Sequence, residues 1–564
     1  MSELSLGSLS IDPNTNRVRV GSISSGIDTE ALTNALVDAK KIPALRLEQR
    51  ISEGEAKVAA YGDLRSALRA MQSALDGLRN PPGLSSVEDN LFERKEAFFS
   101  SNTTTSPASL LGIQASNRAA TGSFDLVISG LATAHKVMSN AFADPASTGL
   151  QADTLTIGLG GGDTDDVAVT AGMTLYELRD AINTTTGTTD VKASVLKVAD
   201  NDHRLVLTGT VTGTGNTVAV AANAANTALL GLALPANQLE AADNAHLLID
   251  DIPVQRTTNT VTDLFEGLTI DLYQADPGTT VTVEVEPSFA AARDQVLAFA
   301  DAYNAMRDIA AAQNAVADTG AVDRLASPLF GDSLLRTVTQ SVTAETTAAV
   351  KGLDPAAVST LAQLGLTLGE DNRMQVDTTV LDAKLLADPE AARRVFEFDA
   401  QISDPQLSIF GHGNAFPANS FTITKSGADW VLDDGTNSLT LEADGTTLSA
   451  PEGSAYDGLV LFWVGAGDPT GPITVNATQG IADRLHNLVE SAANELDGSI
   501  ASAMESTEGQ IERWREDVAK IDARAEDYRL VLVEKFARLE TALSLADAML
   551  KQVRAQTDAM TARE

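Results

Sequence analysis

Apolar residues recur at steps of three and four from Ile511 towards the end of the chain, in a stretch without proline or glycine. This spacing places them on one stripe of an α-helix, the seam of a coiled coil. The extra step of four between Leu532 and Phe536 is a stutter, which locally unwinds a supercoil. A long core helix of a bundle is the alternative, but the absence of an internal stop favours the coiled coil. The predicted seam residues are Ile511, Trp514, Val518, Ile521, Tyr528, Leu532, Phe536, Leu539, Leu543, Leu550 and Val553.

A second helical pattern lies near the start of the chain, after a segment rich in Ser, Gly and Asn. Asp28 is a good N-cap, and Pro43 predicts a kink or a fresh helix start. Gly54 and Gly62 each weaken the helix by about 1 kcal/mol relative to Ala, so it needs tertiary support. We expect the C-terminal helix, or the same helix of another subunit, to cover its apolar side. The residues on that side are Leu47, Ile51, Val58, Tyr61, Leu68 and Leu75.

The apolar period changes from 3.6 to 2 between about Phe98 and Glu286, where Thr, Val, Gly, Asn and Asp dominate. Short alternating runs between Gly-rich turns are typical of antiparallel sheets. One short helix interrupts them, opened by a capping box between Thr174 and Glu177. The Ala- and Asn-rich tract 218–243 is interpreted as an insertion or loop.

Helical periodicity returns after Pro287, and β character returns once more in 402–475. There Asp434-Gly435 and Asp444-Gly445 are hairpin signals. The predicted fold class is therefore α+β multidomain, with terminal helices forming a coiled-coil or helical-bundle leg and antiparallel β-rich head domains inserted between them. The expected parts are a disordered export and assembly segment (1–27), an N-terminal helical leg (28–97), a β head domain (98–150 and 240–286), an inserted second β head domain with one short helix (151–239), a helical domain (287–401), a small inserted β domain (402–475) and a C-terminal helical leg with coiled coil (476–564).

The chain is strongly acidic, with 77 Asp and Glu against 40 Lys and Arg and a net charge of −37. A phosphate backbone would be repelled, so nucleic acid is not expected as a partner. The charge is concentrated in residues 81–503, which carry 54 acids and 20 bases. Cysteine is absent, which excludes disulfides and thiolate metal sites. We find neither a secretory signal peptide nor an apolar run long enough for a membrane span.

The sequence indicates no enzyme. The glycine run Gly158–Gly162 has no following Lys-Ser/Thr pair and is better interpreted as a hairpin turn. Asp163, Asp165 and Asp166 lack the spacing of a calcium loop, and the five histidines lack metal-ligand spacing. We therefore expect no catalytic residue, no metal and no cofactor.

Several short motifs resemble, in the same order, those of the flagellar hook-associated protein 2 family, the cap of the bacterial flagellar filament. They begin with residues 21–28, followed by an amphipathic helix, and continue with 61–64 and with 174–183, which resembles a motif shared by flagellins and hook-associated proteins. The family's most distinctive β segment is similar to residues 256–272, and the later matches include 329–333. The motif residues that we single out are Arg256, Asn259, Asp263, Gly267, Tyr303 and Asn304. The β insertion 402–475 departs from many family members.

The resemblance implies a structural protein that is secreted, exported through the flagellum's own secretion apparatus to the distal filament tip. There it would form a homo-oligomeric ring, typically a pentamer, that helps exported flagellin fold and insert. Flagellin, the hook–filament junction proteins and a cytoplasmic export chaperone at the C-terminal region are the implied partners. The alternatives are another flagellar axial protein, such as a junction protein or flagellin, and a surface adhesin with a coiled-coil stalk; cell adhesion is also conceivable as an added role.

Overall fold

In the computed structural model the residues described are 9–11, 18–20, 28–80, 89–316, 322–353, 357–413 and 416–561. The chain divides into two compact units: Leu84–Asp294, and Met1–Gly83 together with Gln295–Glu564. The helices are α1 (Thr29–Arg79), α2 (Pro107–Leu110), α3 (Leu175–Thr184), α4 (Thr186–Thr189), α5 (Ala224–Leu230), α6 (Ala290–Gln313), α7 (Ser333–Thr347), α8 (Thr378–Ala387), α9 (Pro389–Phe396), α10 (Ile481–Ala493) and α11 (Ser499–Thr561). Within the described residues there are also three short 3-10 helices, Leu91–Glu93, Pro235–Asn237 and Leu361–Leu364.

The strands are short and all their pairings are antiparallel within the described chain. They are β1 (Leu9–Ile11), β2 (Val18–Val20), β3 (Lys95–Ser101), β4 (Leu111–Ala115), β5 (Gly122–Gly130), β6 (Lys136–Met138), β7 (Asp153–Leu159), β8 (Thr164–Val169), β9 (Val191–Ala199), β10 (Asp202–Gly209), β11 (Val218–Ala221), β12 (Gln238–Glu240), β13 (Ala245–Ile249), β14 (Ile252–Arg256), β15 (Thr260–Val261), β16 (Leu268–Leu272), β17 (Val281–Pro287), β18 (Leu366–Leu368), β19 (Met374–Val376), β20 (Phe398–Ile402), β21 (Leu407–Gly411), β22 (Ser420–Ser426), β23 (Asp429–Asp433), β24 (Ser438–Asp444), β25 (Thr447–Ser449), β26 (Val460–Trp463) and β27 (Ile473–Gln479). The predicted fold class, terminal helices with antiparallel β domains between them, is confirmed.

α1 is one continuous helix of 51 residues, although Pro43 lies inside it. Asp28 caps its first turn by accepting a 2.8 Å hydrogen bond from the Ala31 amide, as the sequence predicts. The fresh helix start predicted at Pro43 is therefore wrong. An interior proline costs about 3 kcal/mol, but Val37 and Ala44 are buried on either side of it, and this packing holds the helix together.

The unit Leu84–Asp294 contains two β domains with separate cores. In the first, a five-stranded sheet in the order β14-β13-β5-β17-β3 and a three-stranded sheet β15-β16-β4 enclose a core rich in Leu, Val and Ile. In the second, a four-stranded sheet β12-β6-β10-β9 and a three-stranded sheet β11-β7-β8 share a core with α3. The predicted capping box of α3 is present, with Thr174 and Glu177 each accepting from the other's backbone amide.

Three boundaries of these domains differ from the sequence-based expectation. β3 begins at Lys95, inside the predicted leg 28–97, because it pairs along its length with β17. β6 pairs with β10, so the second domain includes residues before 151. The tract 218–243 is structured, since it forms β11, α5 and β12; the expectation of a single short helix in 151–239 is therefore wrong. Alternation is too brief in these three-residue and four-residue strands to be recognised.

The second unit contains a helical domain of α6 to α10, with the two-stranded sheet β18-β19, and an eight-stranded sheet in the order β20-β27-β22-β23-β24-β25-β26-β21. This sheet runs from Phe398 to Gln479, slightly beyond the predicted 402–475, and into the segments assigned to the helical domain and the C-terminal leg. Gly435 and Gly445 adopt positive φ angles at the two predicted hairpin turns. In the N-terminal segment 1–27, expected to be disordered, β1 pairs with β2; the rest of that segment lies outside the described residues.

Candidate functional site

The two long terminal helices α1 and α11 pack against each other in opposite directions and form the helical leg. Val37 of α1 lies in a buried cluster with Ala525 and Leu532 of α11, and Tyr528 and Phe536 pack against this cluster. Further along, Gly54 of α1 meets Ile511 of α11. Sequence numbers rise along one helix as they fall along the other, so the pair is antiparallel.

Gly54 allows a close approach of the two helices. It is buried, and the atoms nearest to a β-carbon added at this position would belong to Ile511 and Trp514. The sequence suggested only that this glycine weakens the helix; the structure shows that the missing side chain makes room for the partner. Ile511 is accordingly only 4% exposed.

Charged pairs border the apolar seam. Lys41 Nζ lies 3.1 Å from Asp522 Oδ1, and Arg515 donates to Glu55 at 2.6 Å. Both pairs are solvent-exposed, so screening keeps their contribution to stability small. Because each links one residue of α1 to one of α11, they favour a single register of the two helices.

The predicted seam of α1 divides between two partners. Leu47, Ile51 and Val58 are partly buried and lie in the half of α1 that packs against α11. The buried residues Tyr61, Leu68 and Leu75 belong to the half of α1 that packs against α10. This second half is part of the helical domain.

The predicted seam of α11 also divides, at Phe536. Trp514, Val518, Ile521 and Tyr528 are partly buried towards α1. The antiparallel register brings the start of α1, at Thr29, level with the region just after Phe536, so α1 cannot cover the rest of the stripe. The seam residues beyond this point are exposed: Leu539 (46%), Leu543 (38%), Leu550 (58%) and Val553 (58%).

Asp332 joins α1 to the helical domain. It caps α7 by accepting from the amides of Leu334 and Leu335, at 2.9 and 3.1 Å. Its other oxygen lies 2.9 Å from Lys57 Nζ and accepts a 2.8 Å bond from the Tyr61 hydroxyl. Burial alone would raise the pKa of Asp332, but these donors outweigh it and the pKa is lowered. Burial and the same contact raise the pKa of Tyr61.

The motif residues of the β segment hold loops in place. Arg256 Nε donates to Asp263 at 2.8 Å, and Asn259 exchanges two hydrogen bonds with the backbone of Ala132, at 2.7 and 2.9 Å. Gly267 has a φ of +77°, and an added β-carbon would lie 2.5 Å from the Ala119 amide nitrogen, so this position requires glycine.

Tyr303 and Asn304 of α6, the two remaining motif residues, also make contacts that hold parts of the fold together. Tyr303 is fully buried, with its hydroxyl 3.3 Å from that of Thr343. The Asn304 side chain pairs with the backbone of Met374 through bonds of 2.9 and 2.7 Å, tying α6 to β19.

Sequence reasoning missed a buried polar cluster where the eight-stranded sheet joins α1 and α10. The fully buried Asp483 lies 3.2 Å from His412 Nε2 and 3.8 Å from Arg79 Nε. Arg79 also contacts His486 Nδ1, and His486 Nε2 lies 3.0 Å from Asp76. Asp76 and Arg79 lie hundreds of positions before His412, Asp483 and His486, and no local spacing marks the cluster.

Nowhere in the described ranges do three or more His, Cys, Asp or Glu side chains gather in a way that could hold a metal ion. Over the same residues, no helix combines the length and apolar composition needed to cross a bilayer.

Comparison with known proteins gives the class of protein to which this chain belongs. The family model for the flagellar hook-associated protein 2 C-terminus matches residues 242–548, that for its N-terminus matches 25–135, and the flagellin hook IN motif matches 154–211. The A-type flagellar hook-associated protein 2 of Pseudomonas aeruginosa is 28% identical over 406 residues, covering 68% of this chain and 81% of the relative. Flagellar hook-associated protein 2 of Escherichia coli K12 is 27% identical over 383 residues, covering 65% and 77%.

Among solved structures, the D1-D2-D3 domains of the flagellar cap protein FliD from Escherichia coli align at 25% identity with a TM-score of 0.47, covering 60% of this chain and 89% of that chain. FliD (HAP2) from Pseudomonas aeruginosa PAO1 aligns at 25% identity with a TM-score of 0.34, covering 37% and 99%.

The leg built from both chain ends and the family matches define a structural protein of the bacterial flagellum, exported from the cell. The chain belongs to the flagellar hook-associated protein 2 family, which forms the cap of the flagellar filament. The resemblance seen in the sequence is thereby confirmed.

Proposed function

We propose that this protein forms a homo-oligomeric ring at the distal tip of the filament and promotes the folding and insertion of exported flagellin. One observation carries the ring and its contacts: α11 continues past the start of α1 with an exposed apolar stripe from Leu539 to Val553. An apolar stripe at coiled-coil spacing is a surface for further helices. In the assembled cap it would be covered by the equivalent helices of neighbouring copies or by flagellin.

The finer details of the assembly and its partners are those that membership of the family implies. A ring of five copies, contact with the hook–filament junction proteins, and a cytoplasmic export chaperone at the C-terminal region are part of the proposal. A chaperone would shield the exposed stripe before assembly, because unpaired apolar surface promotes aggregation. The protein would act by binding, without catalysing a covalent step.

The function is tested in a flagellated strain that lacks the gene. We expect flagellin to accumulate unpolymerised in the medium and motility to be lost, and the full-length chain to restore both. A matched variant that ends before Leu539 keeps the buried seam and should fail to restore capping. Normal filaments in the deletion strain would refute the proposed function.

A further inference from the structure

A cluster of basic side chains surrounds the start of α7 in a protein with almost two acids for each base. Arg307 and Arg336 line a cavity of about 310 Å³, and a neighbouring cavity of about 440 Å³ is lined by Arg50, Lys57 and Arg324. The two cavities share Gly331 and Asp332. We define the four arginines and Lys57 as the basic pocket.

The arginines of the basic pocket have no acidic partners among the residues that the structure describes. Elsewhere many arginines are paired with carboxylates, as Arg204 is with Asp202 and Arg256 with Asp263. Arg307, Arg336, Arg50 and Arg324 form no such pair in the described ranges, and Arg307 Nε is buried without a hydrogen bond. Leaving a buried donor unsatisfied is costly, which indicates that the pocket is incomplete in the single chain.

The acidic residues that line the two cavities are Asp332 and Glu53, and Glu53 accepts a 3.0 Å hydrogen bond from Gln49. Asp332 already accepts bonds from Lys57, Tyr61 and the first amides of α7. Because Asp332 caps it, the N-terminus of α7 is not the binding element. The remaining donors of the smaller cavity include the side chains of Gln340 and Asn372. Guanidinium groups with amide donors recognise carboxylates, often through two parallel hydrogen bonds.

We propose that the basic pocket binds carboxylate side chains from the unit 84–294 of a second copy of this chain. That unit carries 26 Asp and Glu against 10 Lys and Arg, so its acidic side chains greatly outnumber its basic ones. Its negative charge complements the positive charge of the basic pocket. In a homo-oligomer a second copy of this chain is always present, so this partner is always available. This inference rests on the self-association in the proposed function and assigns to it an electrostatic contact separate from the apolar stripe of α11.

The absence of cysteine permits a direct test. Gln340→Cys places a single thiol at the exposed rim of the smaller cavity and leaves both arginines in place. The thiol is labelled with benzophenone maleimide, and the labelled protein is mixed with a heavy-isotope copy and irradiated. We expect cross-linked peptides that join the label on one copy to residues 84–294 of the other. Cross-links within one copy only, cross-links to another region, or none in assembled protein would each refute the proposal.

A charge-removal test is independent of the label. Arg307→Gln/Arg336→Gln should weaken self-association roughly tenfold or more, measured as Kd by sedimentation velocity, because each lost pair leaves a carboxylate without its partner. The control Arg513→Gln/Arg524→Gln removes the same charge from exposed positions of α11 and should leave Kd unchanged. If the double variant unfolds, Arg336→Gln alone can be compared with wild type in its place, because Arg336 is exposed.

The outcomes separate this inference from the proposed function. If Arg307→Gln/Arg336→Gln has the wild-type Kd for self-association, and a strain carrying this variant still caps its filaments, the basic pocket is refuted and the cap function is left intact. A wild-type chain that neither self-associates nor restores capping refutes both.

Discussion

Gly54 of α1 and Ile511 of α11 lie so close that a β-carbon added to the glycine would be 2.9 Å from Ile511 Cγ1. Gly62, two turns further along α1, has nothing within 4 Å of the same added atom. The two glycines therefore occupy one helix with opposite packing constraints.

This contrast predicts opposite effects of one substitution. Gly62→Ala should raise the free energy of unfolding by up to about 1 kcal/mol through helix propensity. Gly54→Ala gains the same propensity but forces the helices apart, at a cost of about 1–3 kcal/mol. Urea unfolding followed by helical circular dichroism measures both. A Gly54→Ala variant as stable as Gly62→Ala would show that the close approach is not needed.

The division of the α11 seam predicts different defects on its two sides. Leu532→Asp should destabilise the leg by at least about 1.5–3 kcal/mol, since it removes a buried leucine and buries a carboxylate. Leu539→Asp should leave the unfolding temperature of the single chain unchanged but abolish capping, because Leu539 is exposed until assembly. Thermal melting, motility and flagellin in the medium are the measurements.

Arg538→Asp is the control for the stripe. Arg538 lies beside Leu539, is exposed and pairs with Glu534 of its own helix. We expect it to keep both stability and capping. Equal loss of capping in Arg538→Asp and Leu539→Asp would contradict the assignment of the exposed stripe.

The pairing of β3 with β17 predicts where the head unit can be cut. A fragment of residues 89–288 contains every strand of its two β domains and should show a β-type circular dichroism spectrum with a cooperative melt. A fragment of 105–288 lacks β3 and leaves the edge of β17 unpaired, so it should melt at a lower temperature or aggregate. Identical melting of the two fragments would contradict the role of β3.

Asp434 predicts an acid-sensitive step in the eight-stranded sheet. Burial would raise its pKa, but bonds from Asn437, the Thr436 amide and the Tyr456 hydroxyl outweigh this and lower the pKa to about 2. Its ordinary value is 3.8. The folded state therefore holds this proton less tightly than the unfolded state, and the stabilisation present above about pH 4 is lost as the pH falls towards 2.

Tryptophan fluorescence can follow this step, because two of the three tryptophans, Trp430 and Trp463, lie in this sheet 5.5 Å apart. Asp434→Asn should be less stable than wild type at neutral pH and should lose less stability between pH 4 and 2. Tyr456→Phe removes one hydrogen-bond donor to Asp434, so its loss of stability between pH 4 and 2 should lie between those of wild type and Asp434→Asn. If Asp434→Asn lost as much stability between pH 4 and 2 as wild type, other carboxylates would govern acid unfolding.

Local patterns in the sequence were sufficient for the parts of the fold specified by neighbouring residues. Asp28 as a cap, the box of Thr174 and Glu177, and the turns at Gly435 and Gly445 all appear as predicted. The fresh helix start predicted at Pro43 does not occur, because the local penalty is overcome by the packing of Val37 against a distant helix and by the burial of Ala44.

The candidate site was only partly accessible to the same reasoning. The spacing of Ile511 to Val553 identifies an apolar stripe, but it cannot say that α1 begins level with Phe536 and leaves the remainder uncovered. The ion pairs of Asp483 and the unpaired state of Arg307 depend on contacts between residues far apart in sequence. No periodicity reports such contacts.

The antiparallel pairing of α1 with α11 determines when the leg can form during folding. The two helices are separated by every other helix and strand of the chain from β3 to α10. During synthesis or passage through a channel with the N-terminus first, α1 emerges long before its partner exists. The leg must therefore close last, after both head domains are able to fold by themselves, and this delay keeps the ends of the chain unpaired for as long as the chain is in transit.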